Sequence, residues 1–347
     1  MPRAVVCRRN GDPTLPIGSP GSVLDVDDTW QLGPLKAEHV RVAVVAASVN
    51  FADPLTVKGE YQVKLPLPFV PGSEASGTVT ELGKGVTGLA VGDKVVLFSQ
   101  GGCYCEEVIV HQATVWRVPE GVDLVTAAAV PITYGTADVA LRHRANVQKG
   151  QTVLVLGAGG GVGVAAVQLA KVQGAHVVAV TKGEDKVQLL RNLGADVVID
   201  LDTVSASQPL HALIKQHAPR GVHVVVDPVG GPYFNDALKA VAWGAHIVVI
   251  GFAAGSIPKI PANILLVKNT TVHGLYWGSY LQHKPQVLRD SMADIMAWLA
   301  SGVVQPHVSH HFALEEVPAA FQTLLSRQAK GKVLVRVASR PSFASKL

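Results

Sequence analysis

Only three of the 347 residues are cysteine, Cys7, Cys103 and Cys105. An odd, sparse set of this kind gives no disulfide framework and fits a reducing compartment. No apolar run approaches the length of 18 residues that a membrane span requires, so no membrane partner is expected. The N-terminal MPRAVVCRRNGDPTLPIGSP lacks the long apolar core of a secretory signal, and export by that route is not expected. Charge of one sign is also missing: 30 Lys and Arg stand against 26 Asp and Glu, a formal +4, scattered rather than gathered into a basic stripe. Nucleic acid is therefore not an expected partner.

Hydrophobic residues, by contrast, make up 48% of the chain, enough for two cores at the usual domain size of about 150 residues. Two lobes with a cleft between them are expected. Residues 40–123 read as short apolar runs (VRVAVVAASVN, SGTVTELG, KVVLFS, CEEVIV, TVWRVPEG) cut by Gly and Pro, the pattern of a small all-β lobe. From Leu124 the period changes to helical, and beyond it short strands alternate with helices: 152–156, 176–181, 196–200, 223–227, 245–250 and 271–276. Each strand is β-branched and apolar on both faces, as in a helix-covered parallel sheet. The fold class is α/β, a Rossmann doubly wound sheet of six parallel strands inserted into a mainly β domain. The expected boundaries are 1–125 for the first segment of the β domain, 126–278 for the nucleotide domain and 279–347 for the returning segment. Within 279–347 a single helix runs from Leu281 to about Ala300, and the strand KVLVRV rejoins the β lobe.

The run Gly157-Ala158-Gly159-Gly160-Gly161-Val162-Gly163 follows the strand TVLVL and opens a helix. That is the setting in which a glycine motif binds a dinucleotide. The G-x-G-x-x-G spacing is met as Ala158-x-Gly160-x-x-Gly163, with Ala in the slot that serves the tight turn. Gly160 and Gly163 are read as the two positions that a side chain would obstruct most, one by backbone approach to pyrophosphate and one by helix packing. Free N–H groups of the helix start, at Gly161 and Val162, complete an anion site. The second strand ends in Thr181-Lys182, with Lys186 beyond and no acid at the strand end itself. A carboxylate there would grip the ribose of NAD, whereas ammonium donors favour a 2′-phosphate, so the cofactor is read as NADPH.

Taken in order, SVNFADPLTVKGEY, LPFVPGSEASGTV, VGDKV, AAAVPITYGTA, GAGGGVGVAAVQLAK, VVVDPVGG, VVIGFAAG and AKGKVLV span nearly the whole chain. In this order they resemble the medium-chain dehydrogenase/reductases, and within them the zinc-free NADPH:quinone oxidoreductase branch. The resemblance implies that the β domain is GroES-like. Where zinc members of that fold carry their first Cys ligand this chain has Asn50; where they carry the His of GHE it has Ser73; and no ligand type occurs from Leu124 to Ala137. No metal is expected.

Without a Lewis acid, hydride delivery to an already polarised acceptor is what remains feasible, a quinone or the β-carbon of an α,β-unsaturated carbonyl. By resemblance Asn50 and Tyr61 are the candidate donors to the developing anion, with Asp53 beside them; a turn Asn and a lip aromatic are the plainer alternatives. Asn50 and Thr133 are expected near the nicotinamide, and Gly251-Phe252-Ala253 should pass it at the sheet's carboxyl edge. Lys332 resembles a cofactor contact, with a surface lysine as the alternative. A homodimer through the edge strand TVHGLY is also implied by the resemblance. The chain closes on Ser345-Lys346-Leu347, the tripeptide read by a peroxisomal import receptor, so peroxisomal residence is expected. Two other functions stay open: an enoyl thioester reductase, and a non-catalytic NADPH-binding or RNA-binding protein.

Overall fold

The computed structural model describes residues 1–337; the tripeptide Ser345-Lys346-Leu347 lies outside them. The chain divides into two compact units, one formed by the N-terminal stretch to Pro131 together with the stretch from Val308 onward, the other by Ile132–His307. The first unit begins with the paired strands β1 (Ala4–Cys7) and β2 (Leu24–Asp27), then β3 (His39–Ser48), helix α1 (Ala52–Lys58), β4 (Glu74–Leu82), β5 (Lys94–Phe98), β6 (Glu107–His111) and β7 (Val115–Arg117). Helix α2 (Leu124–Ala127) follows, its start capped by the Asp123 carboxylate, which accepts from Thr126 N–H.

The second unit runs α3 (Pro131–Asp138), β8 (Thr152–Val155), α4 (Gly161–Val172), β9 (His176–Thr181), α5 (Glu184–Asn192), β10 (Val197–Asp200), α6 (Leu210–His217), β11 (Val222–Asp227), α7 (Gly231–Ala240), β12 (Val241–Val249), α8 (Ala262–Lys268), β13 (Thr271–Gly274), α9 (Tyr280–His283) and α10 (Pro285–Ala300). The chain then returns to the first unit with β14 (Val308–Ala313), α11 (Val317–Leu325) and β15 (Lys332–Arg336).

Strands β8 to β13 form one sheet in the order β10-β9-β8-β11-β12-β13, every pair parallel. This is the doubly wound order expected from the alternating strands and helices, and the strand order reverses between β8 and β11. Fully buried Leu154, Val178, Val225 and Ile247 from four neighbouring strands fill one face beneath Ile214 and Phe234, which explains why these strands read as continuous apolar runs. The helix expected from Leu281 to Ala300 is two helices. Pro285 drives Lys284 out of the helical region, to φ −147° and ψ 60°, and ends α9 there.

Helix α10 also belongs to the nucleotide unit rather than to the returning segment that was expected to start at 279. Arg142 forks between Asp138, at 2.6 and 2.8 Å, and Asp294 of α10 at 2.6 Å, and its guanidinium lies 5.3 Å from the Trp298 ring centre. Gln305 exchanges two hydrogen bonds with Gln168 of α4.

In the first unit β15 pairs antiparallel with β3, so KVLVR does rejoin the β lobe. The larger sheet there runs β14-β15-β3-β4-β5-β7, with β6 also on β3. Its core contains Val40, Val42, Val79, Val95, Leu97, Tyr104 and Phe321. All three cysteines are buried thiols.

Candidate active site

Strand pairing assembles a polar centre inside the first unit. Ser48, the last residue of β3, lies opposite both Leu334 of β15 and Glu74 of β4. Following the antiparallel register two residues on brings Lys332 opposite Asn50. The Lys332 ammonium donates to Asn50 Oδ1 at 2.9 Å, to Glu74 Oε1 at 2.9 Å and to the Val49 carbonyl at 3.1 Å. Asn50 Nδ2 closes the triangle on Glu74 Oε1 at 2.8 Å. Lys332 is only 4% exposed and Glu74 is fully buried. An ammonium has three donors, and all three are spent within this unit. Lys332 is thus not the surface lysine that stood as the alternative to a cofactor contact. It is the buried counter-charge of Glu74.

Asp53 sits next to this triangle in the first turn of α1, buried. Its Oδ2 accepts from the Asn50 backbone N–H at 2.8 Å and from the Tyr104 hydroxyl at 3.1 Å, and its Oδ1 accepts from the Ser73 hydroxyl at 2.5 Å. Removal from water pushes the Asp53 carboxyl up to about 6, against the three hydrogen bonds and the Lys332 charge, which favour its ionised form. Tyr104, buried beside the same carboxylate, is pushed well above its ordinary value. The turn before Ser73 needs glycine: Gly72 has φ +93°, and a Cβ there would stand 2.8 Å from the Tyr104 ring. Tyr61 lies half-buried in the turn after α1, its backbone N–H on the Leu55 carbonyl.

The second unit carries the other candidates. Gly157 to Gly163 lead from β8 to α4 at the point where strand order reverses, where ligands of open α/β sheets bind. Gly160 is the N-cap of α4, and the N–H groups of Gly161, Val162 and Gly163 belong to the first turn, which has no intrahelical acceptors.

The protein's own packing sets further glycine requirements beside the expected ones. A Cβ on Gly163 would fall 2.5 Å from Ala158 Cα and from the Gly157 carbonyl oxygen. On Gly157, at φ +59°, it would fall 2.6 Å from Val229, and on Gly159 2.8 Å from Thr181 Oγ1 and Lys186 Cδ. On Gly160 the nearest atom is 3.4 Å away, so the protein itself leaves room there. Gly163 is therefore the packing glycine as expected, whereas Gly157 and Gly159, not Gly160, are the other crowded positions.

Thr181 and the stem of Lys186 thus pack against the loop. Lys182, expected to share the role of Lys186, is exposed and turns to Asp202 at 3.2 Å. Gly251, Phe252 and Ala253 follow β12 and hang from the turn after β11, through Ala253 N–H to the Pro228 carbonyl and Ala254 N–H to that of Val229. That turn is held by Asp227 Oδ1, which accepts from Val229 and Gly230 N–H at 2.8 Å each. Thr133 is buried in the first turn of α3.

Tyr104 and Asp227 were missed as site-building residues. The signal for Asp227 was present, an acid ending a buried strand immediately before Pro-Val-Gly-Gly. Nothing local marked Tyr104. Among the described residues no group of three or more His, Cys, Asp and Glu is placed to hold a metal ion.

A GroES-like β unit followed by a six-stranded doubly wound sheet with a glycine loop at its switch point defines the class: a medium-chain dehydrogenase/reductase. Family models for an alcohol dehydrogenase GroES-like domain and a zinc-binding dehydrogenase match residues 36–120 and 161–299. The chain is 42% identical over 336 residues to quinone oxidoreductase-like protein 2 homolog of Nematostella vectensis, covering 96% of this chain and 88% of that protein. It is 40% identical over 303 residues to quinone oxidoreductase-like protein 2 of Rattus norvegicus, covering 87% and 86%. The crystal structure of Escherichia coli quinone oxidoreductase complexed with NADPH superposes with a TM-score of 0.85 at 25% identity, over 96% of this chain and 99% of that one. The chain belongs to the quinone oxidoreductase-like family of medium-chain oxidoreductases.

Proposed function

We propose that the protein is an NADPH-dependent, metal-independent reductase of quinones or α,β-unsaturated carbonyls. The observation that carries this reading is the loop Gly157–Gly163 at the sheet's switch point, open at Gly160 and walled by the Lys186 stem. The first-turn N–H groups of α4 suit a pyrophosphate, and a lysine whose stem packs on the loop at Gly159 supports a ribose 2′-phosphate as the group it would meet. The E. coli relative, solved with NADPH, supports the same cofactor.

Bound NADPH would supply a hydride; the protein's own residues bind, orient and manage protons. Metal independence is supported by the chemistry of the donor set. Asn50 offers an amide and Ser73 a hydroxyl, both poor zinc ligands, and the Glu74 carboxylate already holds the Lys332 ammonium. Charge developing on a substrate oxygen then has to be met by hydrogen-bond donors, each typically worth about 2.7–4 kcal/mol. Tyr61 and Asn50 remain the candidates for that role. In the unliganded chain Asn50 has one Nδ2 hydrogen on Glu74, while the other faces the Ser48 carbonyl at 3.5 Å, a bond weak enough to be exchanged for a substrate.

The test is NADPH oxidation by the purified chain with 1,2- and 1,4-quinones, short enones and an enoyl-CoA. Turnover on quinones or enones is expected, with enoyl-CoA slower. Turnover on none of them would leave the binding-protein alternative.

A homodimer belongs to the proposal. Strand β13 is the edge of its sheet, and the segment leading to it exposes Ile257, Leu266 and Val267, each more than 70% accessible. Light scattering that gives twice the chain mass for the wild type, and a single mass for Val267→Lys with Leu266→Lys, is the expected outcome.

A further inference from the structure

The carboxyl of Asp53 is built asymmetrically. One oxygen, Oδ2, is saturated by two donors that cannot release a proton near neutrality, the Asn50 backbone N–H and the buried Tyr104 phenol. The other, Oδ1, has a single partner, the Ser73 hydroxyl at 2.5 Å. A proton on this buried carboxyl therefore resides on Oδ1, shared with Ser73. Ser73 is half-buried whereas Asp53 is 1% exposed, so the hydroxyl is the link between the carboxyl and the unit's surface. The Asn50 backbone N–H and the Ser73 hydroxyl are held on the two oxygens of one carboxylate.

We propose that Ser73 is the proton donor to the carbanion of an α,β-unsaturated substrate, reloaded by Asp53 across their shared hydrogen bond. The inference rests on the reading of the protein as a reductase given above.

The step balances. After a hydride has added to the substrate's β-carbon, the enolate α-carbon forms its new C–H bond with the Ser73 proton as the Ser73 O–H bond breaks. The Ser73 oxygen takes the proton from Asp53 Oδ1, leaving the carboxylate, which solvent reprotonates before the next turnover.

The hydroxyl can face outward only while Asp53 carries the proton. Once Asp53 is ionised, its oxygen recruits the Ser73 hydrogen inward. The other groups facing the carboxyl are the buried ion pair of Lys332 and Glu74, and Tyr104 and Cys103, neutral acids that burial holds far above neutrality. Enone turnover should therefore fall as pH rises through about 6, the value to which burial has raised Asp53. A hydroquinone oxygen exchanges protons with water directly, and quinone turnover should lack this limb.

The experiment uses the full chain with NADPH and two probes, 1,2-naphthoquinone and 2-methyl-2-cyclohexen-1-one. The second gives a product with a new stereocentre at the protonated carbon. Ser73→Ala is expected to lower enone kcat about 100-fold, to remove the fall in enone turnover with rising pH and to give near-racemic 2-methylcyclohexanone, with a far smaller loss on the quinone. Ser73→Thr should restore rate and stereochemistry.

Infrared titration of the unliganded protein adds a readout independent of turnover. A carboxyl band absent in Asp53→Asn should titrate at higher pH in Ser73→Ala, which has lost the donor that favours the ionised form. Ser73→Ala with unchanged enone kcat and product stereochemistry overturns the proposal. So does loss of both activities together, which would mark a structural role, and so does a wild type that reduces quinones but no enone. A wild type that reduces neither probe overturns the reductase reading itself.

Discussion

The glycine loop of the second unit and the buried polar centre of the first are made of opposite materials. The loop works by leaving things out. From Gly157 to Gly163 its fit comes from absent side chains, from a helix start with bare N–H groups and from one lysine stem laid across Gly159. The polar centre works by packing charge in, with Lys332, Glu74, Asn50, Asp53, Ser73 and Tyr104 satisfying one another away from water. A loop of this kind tolerates exposure and awaits an anion. A centre of this kind tolerates nothing unpaired, because each buried charge depends on its neighbour. The two regions should therefore fail differently when altered, and their failures should be separable by stability measurements on the unliganded chain.

The largest expected effect is at Lys332. Lys332→Ala strands the Glu74 carboxylate, fully buried, together with the Asn50 oxygen that the ammonium had satisfied. Breaking such a pair from one side typically removes about 3–5 kcal/mol, which chemical denaturation should register. Lys332→Met combined with Glu74→Gln should recover most of it. If the single variant unfolds at the wild-type midpoint, the centre is not what holds the first unit together at this corner.

Asp53 gives the next effect, and it depends on pH. Its folded value is raised from 3.8 to about 6. Raising an acid's folded value means that the folded state holds the proton more tightly than the unfolded chain does. The contribution is thus fully present below pH 3.8 and is lost as pH rises through about 6. A difference of roughly two units corresponds to about 3 kcal/mol. Between about pH 4 and pH 7 the wild type should lose that much more stability than Asp53→Asn, in which the group cannot titrate. Parallel slopes for the two proteins would remove Asp53 from the account.

This contrast also decides what could be read from sequence. The loop is local: strand, glycines and helix follow one another in a short run of chain, and the alternating strands and helices around it dictate a parallel sheet by periodicity alone. The polar centre joins residues 50, 53, 73, 74, 104 and 332. What brings them together is strand register, Ser48 lying opposite both Glu74 and Leu334, which no local pattern encodes. Asn50 and Asp53 were legible because they lie three residues apart in a motif. Lys332 was noticed but its burial was not, since a lysine flanked by Gly331 and Val333 reads equally well as surface. The two lysines after β9 were legible as a pair, and the structure parts their side chains: α5 turns Lys186 toward Gly159, while Lys182, one residue past the strand end, faces Asp202.

That difference gives a graded prediction within the loop region. Lys186→Ala should weaken NADPH binding by about 1.5–3 kcal/mol, the range of a charged hydrogen bond, with NADH binding little changed. Lys182→Ala, which loses an exposed ion pair, should cost about 1 kcal/mol or less. Fluorescence titration with both nucleotides measures the four values, and equal losses of NADPH and NADH affinity would sink the assignment of the 2′-phosphate to Lys186.

The smallest stability effect, and the one that separates fold from function most cleanly, lies inside the loop. Gly163→Ala forces a Cβ to 2.5 Å from Ala158 Cα, so α4 has to shift off β8, and about 1–3 kcal/mol of stability should go with it. Gly160→Ala meets nothing closer than 3.4 Å and sits at φ −85° and ψ 173°, an ordinary extended conformation. Its only penalty in the unliganded chain is that of a poorer N-cap, about 0.5–1 kcal/mol. The methyl would instead project from the cap where a pyrophosphate approaches the first-turn N–H groups. Thermal unfolding without nucleotide should therefore rank Gly163→Ala well below Gly160→Ala. Nucleotide affinity should fall in Gly160→Ala despite its intact fold. A Gly160→Ala protein that binds NADPH as tightly as the wild type would place the phosphates elsewhere on the sheet edge.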